Sequence, residues 1–424
     1  MTDTLRPTDV APSDPAAVDW AARAAALDAD DPLAAHVAEF LVGPHSDVVA
    51  YLDGNSLGRP LRATAERMAA FIDEEWAGRL IRGWTDGWLD RPLELGDRLG
   101  ELALGAAPGQ VVLGDSTTVW LYKLARAGVA QRPGRSEIVV DTDNFPTDRY
   151  VMDGIAGELG MTVRWVETDP ELGLTPELLA PALGPQTALV VFSHVAYRSG
   201  YLADARALTE LTHAAGGLVL ADLSHSVGSV PVELDDWGVD LATGCGYKYL
   251  NGGPGAPAFG YVRAEHQAAM SQPIWGWLGR KDSFVMGAGY EKADGIRGFV
   301  SGTPPILGLV PLAASLEQLG RATMAEVRTK STALTTFAVD LSDAWLAPLG
   351  VRLTTPREPA ARGGHITLQR AGFREVNDRL WADGVIPDYR NPDAIRIGLA
   401  PLSTTFTEVH RGLAALRDAI RDVD

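Results

Sequence analysis

The sequence predicts an α/β protein in which a large domain on a mostly parallel sheet is followed by a smaller α+β C-terminal domain. Three observations lead there. From about residue 100 to 265, short β-branched runs alternate with amphipathic helical stretches, the pattern of parallel strands joined by crossover helices. After Ser301-Gly302-Thr303-Pro304-Pro305 the character changes to a long helical stretch followed by shorter, scattered strand candidates. With 424 residues and 46% hydrophobic content, the chain has core enough for one large domain and a smaller one.

The elements follow in order. Residues 1–60 form an N-terminal helical segment and arm, with the alanine-rich stretch Val18 to Leu27 as its helix. Residues 61–305 make the large domain. Its strand candidates include Glu137 to Val140, Thr162 to Val166, Ala188 to Phe192 and Leu218 to Ala221, with Ala203 to Ala215 as an intervening helix. Residues 306–424 make the small domain, with a helix over Leu307 to Leu319 and a strand over Ala394 to Leu399. Its last segment, Phe406 to Ile420, carries Val409, Leu413, Leu416 and Ile420 at helical spacing, so it packs one face on the core. Ligands of such a sheet are expected at the carboxyl ends of the strands.

Composition narrows the function classes. A formal charge of −18 opposes binding to nucleic acid or anionic membranes, which requires clustered Lys and Arg. The single cysteine, Cys245, excludes an intramolecular disulfide and every multi-cysteine metal motif, so no metal site is expected. Met1 to Asp31 lacks the basic start and apolar core of a signal peptide, and no apolar run approaches a membrane span. The expected location is the cytoplasm.

The chemistry centres on Lys248. An apolar strand-like run reaches it in Gly244-Cys245-Gly246-Tyr247-Lys248 and then breaks into the turn Tyr249-Leu250-Asn251-Gly252-Gly253. A semi-buried lysine at a strand end can lose its proton and attack an aldehyde. Another apolar strand ends in Asp222, 26 residues earlier, followed by Leu223-Ser224-His225. A carboxylate for a pyridinium nitrogen and an amine for an aldehyde are what a pyridoxal phosphate site requires. Taken singly, the two residues also fit plainer roles, a snorkelling lysine and a helix cap. Lysine is scarce here: five of the 37 basic residues are Lys123, Lys248, Lys281, Lys292 and Lys330.

Other segments complete such a site. Asp115-Ser116-Thr117-Thr118 precedes the helical pattern Val119 to Ala127, so hydroxyls and free amides converge where a phosphate could bind. No Gly-x-x-x-x-Gly-Lys loop and no strand-linked Gly-x-Gly-x-x-Gly occurs, which leaves nucleotide readings unsupported. Phe145, in Asp143-Asn144-Phe145-Pro146-Thr147-Asp148, stands after a strand, where a ring can stack on a cofactor or simply pack the loop. Arg396, in Ala394-Ile395-Arg396-Ile397-Gly398, needs a carboxylate partner, from a substrate or from the protein.

From about residue 38 to 420, these segments in order resemble kynureninase, a fold-type I pyridoxal phosphate enzyme of the class V aminotransferase-like group. The matching stretches are Tyr51-Leu52-Asp53-Gly54-Asn55-Ser56-Leu57-Gly58, Asn144-Phe145-Pro146-Thr147-Asp148, Ala221-Asp222-Leu223-Ser224-His225-Ser226 and Tyr247-Lys248-Tyr249-Leu250-Asn251. Gly302-Thr303, Arg362-Gly363 with His365, Gly384-Val385-Ile386, Asp388-Tyr389-Arg390, and Arg396 with Pro401-Leu402 add to them. The resemblance implies hydrolysis of L-kynurenine to anthranilate and L-alanine, a step of tryptophan catabolism. By the same resemblance Lys248 would carry the cofactor, Asp222 would meet its ring nitrogen, Phe145 would stack on the ring and Tyr247 would be a proton donor. Thr117, Thr118 and Tyr247, with Trp277 and Thr303 from a partner subunit, would surround the phosphate. Asp148, Ser193 and His225 would complete the cofactor's surroundings, and Asn55, Trp84, Arg280 and Arg396 would face the substrate. A homodimer with shared sites is implied, and Gly302-Thr303 and Trp84 resemble the bacterial, kynurenine-preferring form.

Four positions depart from the family pattern: Trp120 stands where it has asparagine, Arg280 where it has histidine, Pro387 where it has glycine and Ser403 where it has tyrosine. The alternatives on the same fold are therefore a modified kynurenine or other γ-keto amino acid as substrate, or transamination or β-elimination instead of hydrolysis. A desulfurase needs a mobile catalytic cysteine, which Cys245, three residues before Lys248, does not offer. A non-enzymatic binding protein is the remaining alternative.

Overall fold

The computed structural model describes residues 18–423; the rest of the expected N-terminal segment, residues 1–17, lies outside the described residues, as does Asp424. The described part begins with helix Trp20–Ala29, whose N-cap Asp19 accepts from the Ala22 amide. Asp28 of this helix in turn caps the final helix, Phe406–Val423, accepting from the amides of Phe406 at 2.7 Å and Thr407 at 2.9 Å. The arm that follows contains a short strand, β1 (Ala50–Tyr51).

The large sheet consists of β2 (Val111–Gly114), β3 (Glu137–Asp141), β4 (Thr162–Val166), β5 (Thr187–Ser193), β6 (Leu218–Asp222), β7 (Leu241–Cys245) and β8 (Ala258–Val262). Their order across the sheet is β2-β8-β7-β6-β5-β3-β4, with β8 antiparallel to both neighbours and the pairs from β7 to β4 all parallel. The inner strands β5, β6 and β7 are covered on both faces, so β5 and β6 read as continuous apolar runs and β7 buries even Thr243. Edge strand β4 instead exposes Thr162, Arg164 and Trp165.

The second sheet is antiparallel and is built from β9 (Arg352–Leu353), β10 (His365–Gln369), β12 (Asp388–Arg390) and β13 (Ala394–Gly398) in the order β12-β13-β10-β9. Strand β11 (Val385–Ile386) pairs with β1, which fastens the N-terminal arm to this part of the molecule. Helix Ile306–Leu319 buries Ile306, Leu309, Leu312 and Leu316 in one core with Leu113, Phe259 and Tyr261 of the large sheet. Helix Met324–Leu341 puts Leu334, Phe337 and Leu341 into a different core with Ile366, Leu368, Ile395 and Leu413. Between the two helices, Thr323 and Glu326 form a reciprocal capping box that starts the second one.

The four parallel strands expected from sequence extend at most one residue beyond their expected ends. The strand before Lys248 stops at Cys245, so the lysine stands in the turn that follows. Because β3, β5, β6 and β7 run in parallel, their carboxyl ends share one edge of the sheet. Ser193 lies in register with Asp222, and Asp222 with Thr243.

Candidate active site

The turn after β7 is shaped by its small residues. Gly252 donates its amide to the Gly246 carbonyl at 2.9 Å, and a Cβ on Gly252 would stand 2.7 Å from that oxygen. Asn251 closes the turn at φ 55°, a left-handed conformation that asparagine tolerates better than most residues. The arm backs it: the Gly58 amide donates to the Tyr247 carbonyl at 2.8 Å, and any side chain on Gly58 would collide with the Lys248 carbonyl. Thus Tyr51 to Gly58, far away in sequence, sets where Lys248 points.

Lys248 is buried, with Nζ 3.1 Å from His225 Nε2 and 5.9 Å from the ring centroids of both Phe145 and Tyr247. Burial, and then the lysine's charge, hold the His225 pKa well below its ordinary value, so the imidazole is neutral and Nε2 accepts from the amine. Asp222, at the end of β6, accepts from the Ser224 amide at 2.8 Å. Burial raises its pKa, against the Ser224 hydrogen bond and the charge of Lys248, which favour the ionised form. Asp148, in the first turn of helix Pro146–Leu159, is shifted well upward by burial and then by the charge of Asp222. Two carboxyl groups in one dry place favour a partner that brings a proton.

These groups line a cavity of 130 Å³ together with Thr117 and Thr118, Phe145, His225, Tyr247 and Lys248. Thr117 and Thr118 open helix Thr117–Ala130, whose N-cap is Ser116, so helical amides and two hydroxyls border the cavity where an anion is favoured. Asn144 shapes the Phe145 side: its Oδ1 accepts from Ser193 Oγ at 2.8 Å and from the Phe145 amide at 2.7 Å. Beside this cavity the buried polar atoms Asp148 Oδ2 and Asn144 Nδ2 have no partner. Such orphans beside a stacking ring, an amine and a helix start fit a flat polar cofactor carrying a ring nitrogen, an aldehyde and a phosphate. Pyridoxal phosphate has that chemistry. Among the described residues no group of three or more His, Cys, Asp or Glu side chains is placed to hold a metal ion.

Beside the cavity lies a second polar cluster. Arg396 is 1% exposed and donates from Nε to Asp388 at 2.6 Å, from Nη1 to the Tyr197 carbonyl at 2.6 Å and from Nη2 to Ser56 Oγ at 3.2 Å. With the Asn55 amide turned to face it, the Asn55 oxygen accepts from Nε and Nη2 at 3.3 and 3.2 Å, and its nitrogen donates to Asp53 at 3.2 Å. Burial, and then the charge of Asp388, push the Asp53 pKa up to about 7. Tyr197 joins the two clusters, since its ring meets Phe145 edge-on at 5.4 Å.

The remaining expected site residues lie elsewhere in this chain. Trp84 packs edge-on against Trp88 at 5.4 Å in the core of the large domain. Trp277 and Thr303 occupy neighbouring segments, with Gly276 pressed on the Ser301 backbone. Arg280 turns to its own loop, donating to the carbonyls of Asp282 at 2.8 Å and Gly289 at 3.4 Å. Of the departing positions, Ser403 is buried and borders a separate 470 Å³ cleft beside Arg59 and Glu408, and Pro387 accepts from the Trp381 indole at 3.0 Å. The sequence reading assigned no role to Asp388 or Tyr197. The pairing of Asp388 with Arg396 follows from the register of β12 on β13, and nothing local in the sequence marks Tyr197.

Comparison with known proteins agrees with this geometry. The family model described as the kynureninase C-terminal domain matches residues 327–416. A kynureninase of Pseudomonas fluorescens is 43% identical over 392 residues, 91% of each chain. A kynureninase of Burkholderia pseudomallei strain 1106a is 41% identical over 404 residues, 94% of each chain. Among solved structures, the cysteine desulfurase CsdA of Escherichia coli superposes with a TM-score of 0.77 at 19% identity, covering 92% of this chain and 98% of its own. The apo cysteine desulfurase of Thermococcus onnurineus NA1 gives 0.76 at 19% identity, covering 94% and 98%. These two establish the fold, and the two sequence relatives establish the family: the chain belongs to the kynureninases.

Proposed function

We propose that this protein hydrolyses L-kynurenine to anthranilate and L-alanine, with pyridoxal phosphate held at Lys248. The observation that carries the reading is the meeting of Lys248, neutral His225, Asp222, Asp148 and the Phe145 ring in one cavity, on a chain of this family. Pyridoxal phosphate, when bound, supplies an aldehyde that condenses with an amine and a ring that accepts the electron pair of a bond broken beside that amine.

The residues divide the remaining work. Lys248 Nζ would hold the cofactor's aldehyde and, as a free amine, would be the base that takes the substrate's α proton. His225 accepts from Nζ and keeps it aimed into the cavity. Asp222, fixed by the Ser224 amide, would hold a proton on the cofactor's ring nitrogen, and Phe145 would stack on the ring. Thr117 and Thr118 receive the phosphate at the helix start. Asp148, Ser193 and Asn144 line the ring's polar edge. Arg396 receives the amino-acid carboxylate, with Asn55 and Ser56 at its side. Hydrolysis then adds water across the Cβ–Cγ bond, hydroxide to the γ carbonyl carbon and a proton to Cβ. Burial raises the Tyr247 pKa, so its hydroxyl keeps its proton at neutral pH and is the donor to Cβ.

The active form is a homodimer, and the partner brings Trp277 and Thr303 to the phosphate. Support comes from the exposed apolar side chains Trp275, Phe284, Val285 and Met286, of which Phe284 meets the Trp277 ring edge-on at 5.6 Å, and which suit burial against a second copy. The protein works in the cytoplasm; among the described residues no helix is long and apolar enough to cross a membrane.

The test is release of anthranilate and alanine from L-kynurenine by the cofactor-loaded protein, with 3-hydroxykynurenine in parallel. Equimolar products, formed faster from kynurenine, are expected. Keto-acid formation without anthranilate would replace hydrolysis with transamination.

A further inference from the structure

We infer that Lys123, with Asp115 and Trp120, positions the turn that presents Thr117 and Thr118 to the cofactor phosphate. The inference rests on the pyridoxal phosphate reading above. Lys123 lies on the inner face of helix Thr117–Ala130 and is 0% exposed, an unusual place for an ammonium group. Its Nζ is 3.0 Å from Asp115 Oδ2 and 4.0 Å from the centroid of the Trp120 ring, so one carboxylate and one aromatic face take its charge.

Asp115 is itself strained, a non-glycine residue at φ 48° immediately before the N-cap Ser116. Three contacts hold the turn in that shape. Lys123 binds the Asp115 side chain, the Ala258 amide donates to the Asp115 carbonyl at 3.1 Å, and the Trp120 indole donates to the Gly114 carbonyl at 2.7 Å. The indole fits only because residue 260 is glycine; a Cβ there would run into the ring. Trp120, one of the departures from the family pattern, therefore roofs the buried ammonium and ties down Gly114.

An ammonium taken wholly out of water, with its carboxylate partner 30% exposed, is rarely a better stabiliser than apolar packing. Its value here is placement. The pair fixes the left-handed residue from which the helix starts, and with it the amides and hydroxyls aimed at the phosphate. Neither Lys123 nor Asp115 lines the cavity, so their influence falls on the helix start that borders it.

The experiment compares the wild-type holoenzyme with Lys123→Met and with the double variant Lys123→Met, Asp115→Asn, which leaves no orphaned carboxylate should the single variant fold poorly. Trp120→Phe, which keeps a ring face and removes the Gly114 hydrogen bond, is the milder third. Three quantities are read: the rate of cofactor release, the phosphorus NMR resonance of the bound phosphate, and the pH titration of the visible band that reports the Lys248 linkage. Release at least about tenfold faster, with a displaced phosphorus resonance and an unchanged visible titration, is the expected result. Unchanged release overturns the inference, and so does faster release with an unmoved phosphorus resonance or a shifted visible titration. A wild-type protein that develops no visible band with the cofactor would instead refute the pyridoxal phosphate reading itself.

Discussion

Arg396→Lys separates carboxylate recognition from everything else the site does. The guanidinium uses three edges at once, toward Asp388, the Tyr197 carbonyl and Ser56. An ammonium is a single point of charge and cannot keep Asp388 in place while also presenting two parallel donors to a substrate carboxylate. The fold should survive, because Asp388 retains Arg390 Nε at 2.9 Å as a partner. A charged hydrogen bond is worth about 1.5–3 kcal/mol, and about 1.4 kcal/mol corresponds to tenfold. Losing one bond of a bidentate pair should therefore raise KM for kynurenine by roughly 10- to 150-fold. The change in kcat should be smaller, since the carboxylate is held equally before and during bond cleavage. The assay is steady-state anthranilate release, together with spectral titration by kynurenine and by the same amine lacking its α-carboxylate. The penalty should appear with kynurenine and vanish with the decarboxylated amine. An equal penalty for both ligands would refute carboxylate recognition by Arg396.

Other consequences can be checked independently. Asp53, with its pKa raised to about 7, is protonated in the folded protein over a range where the unfolded chain has lost that proton. Its contribution to stability is therefore fully present below about pH 4 and falls as pH rises toward 7. Asp53→Asn should accordingly gain stability over wild type at pH 8, by up to roughly 4 kcal/mol, and little at pH 4; urea midpoints showing the same gain at both values would count against the buried-acid account. Asp28→Ala removes the carboxylate that caps helix Phe406–Val423, and should cost about 1–2 kcal/mol in urea unfolding while kcat stays constant; an unchanged midpoint would mean that the cap contributes nothing. For the proposed shared sites, mixing inactive Lys248→Ala with weakened Trp277→Ala should produce hybrid dimers with one intact site and restored activity. Additive residual rates from the mixture would place Trp277 in its own subunit's site.

The large sheet was legible because its inner strands are buried on both faces, which leaves uninterrupted runs such as Ala188 to Phe192 between helical stretches. The Asp222 and Lys248 positions were legible for a related reason: parallel strands end on one edge, so polar residues at consecutive strand ends meet. Strand β2 has only four residues, and β8, as long as β3, carries Gly260 at its centre, so neither stands out as a β-branched run. The helix over Ile306 to Leu319 was placed correctly along the chain, yet its buried face joins the large-domain core, and neither face of an apolar helix names its neighbour. Arg396 was found by its apolar surroundings, whereas its bond to Asp388 depends on strand register. Lys123 was noted among the scarce lysines without a role, because burial of an ammonium beneath Trp120 depends on Gly260, far along the chain.

The most direct test of the account is to reduce the cofactor-loaded protein with borohydride, digest it and locate the cofactor-derived mass. The account predicts that mass on the peptide carrying Lys248 and its absence after Lys248→Ala. Attachment at Lys123, Lys281, Lys292 or Lys330, or no stable adduct in a protein that still releases anthranilate, would contradict it.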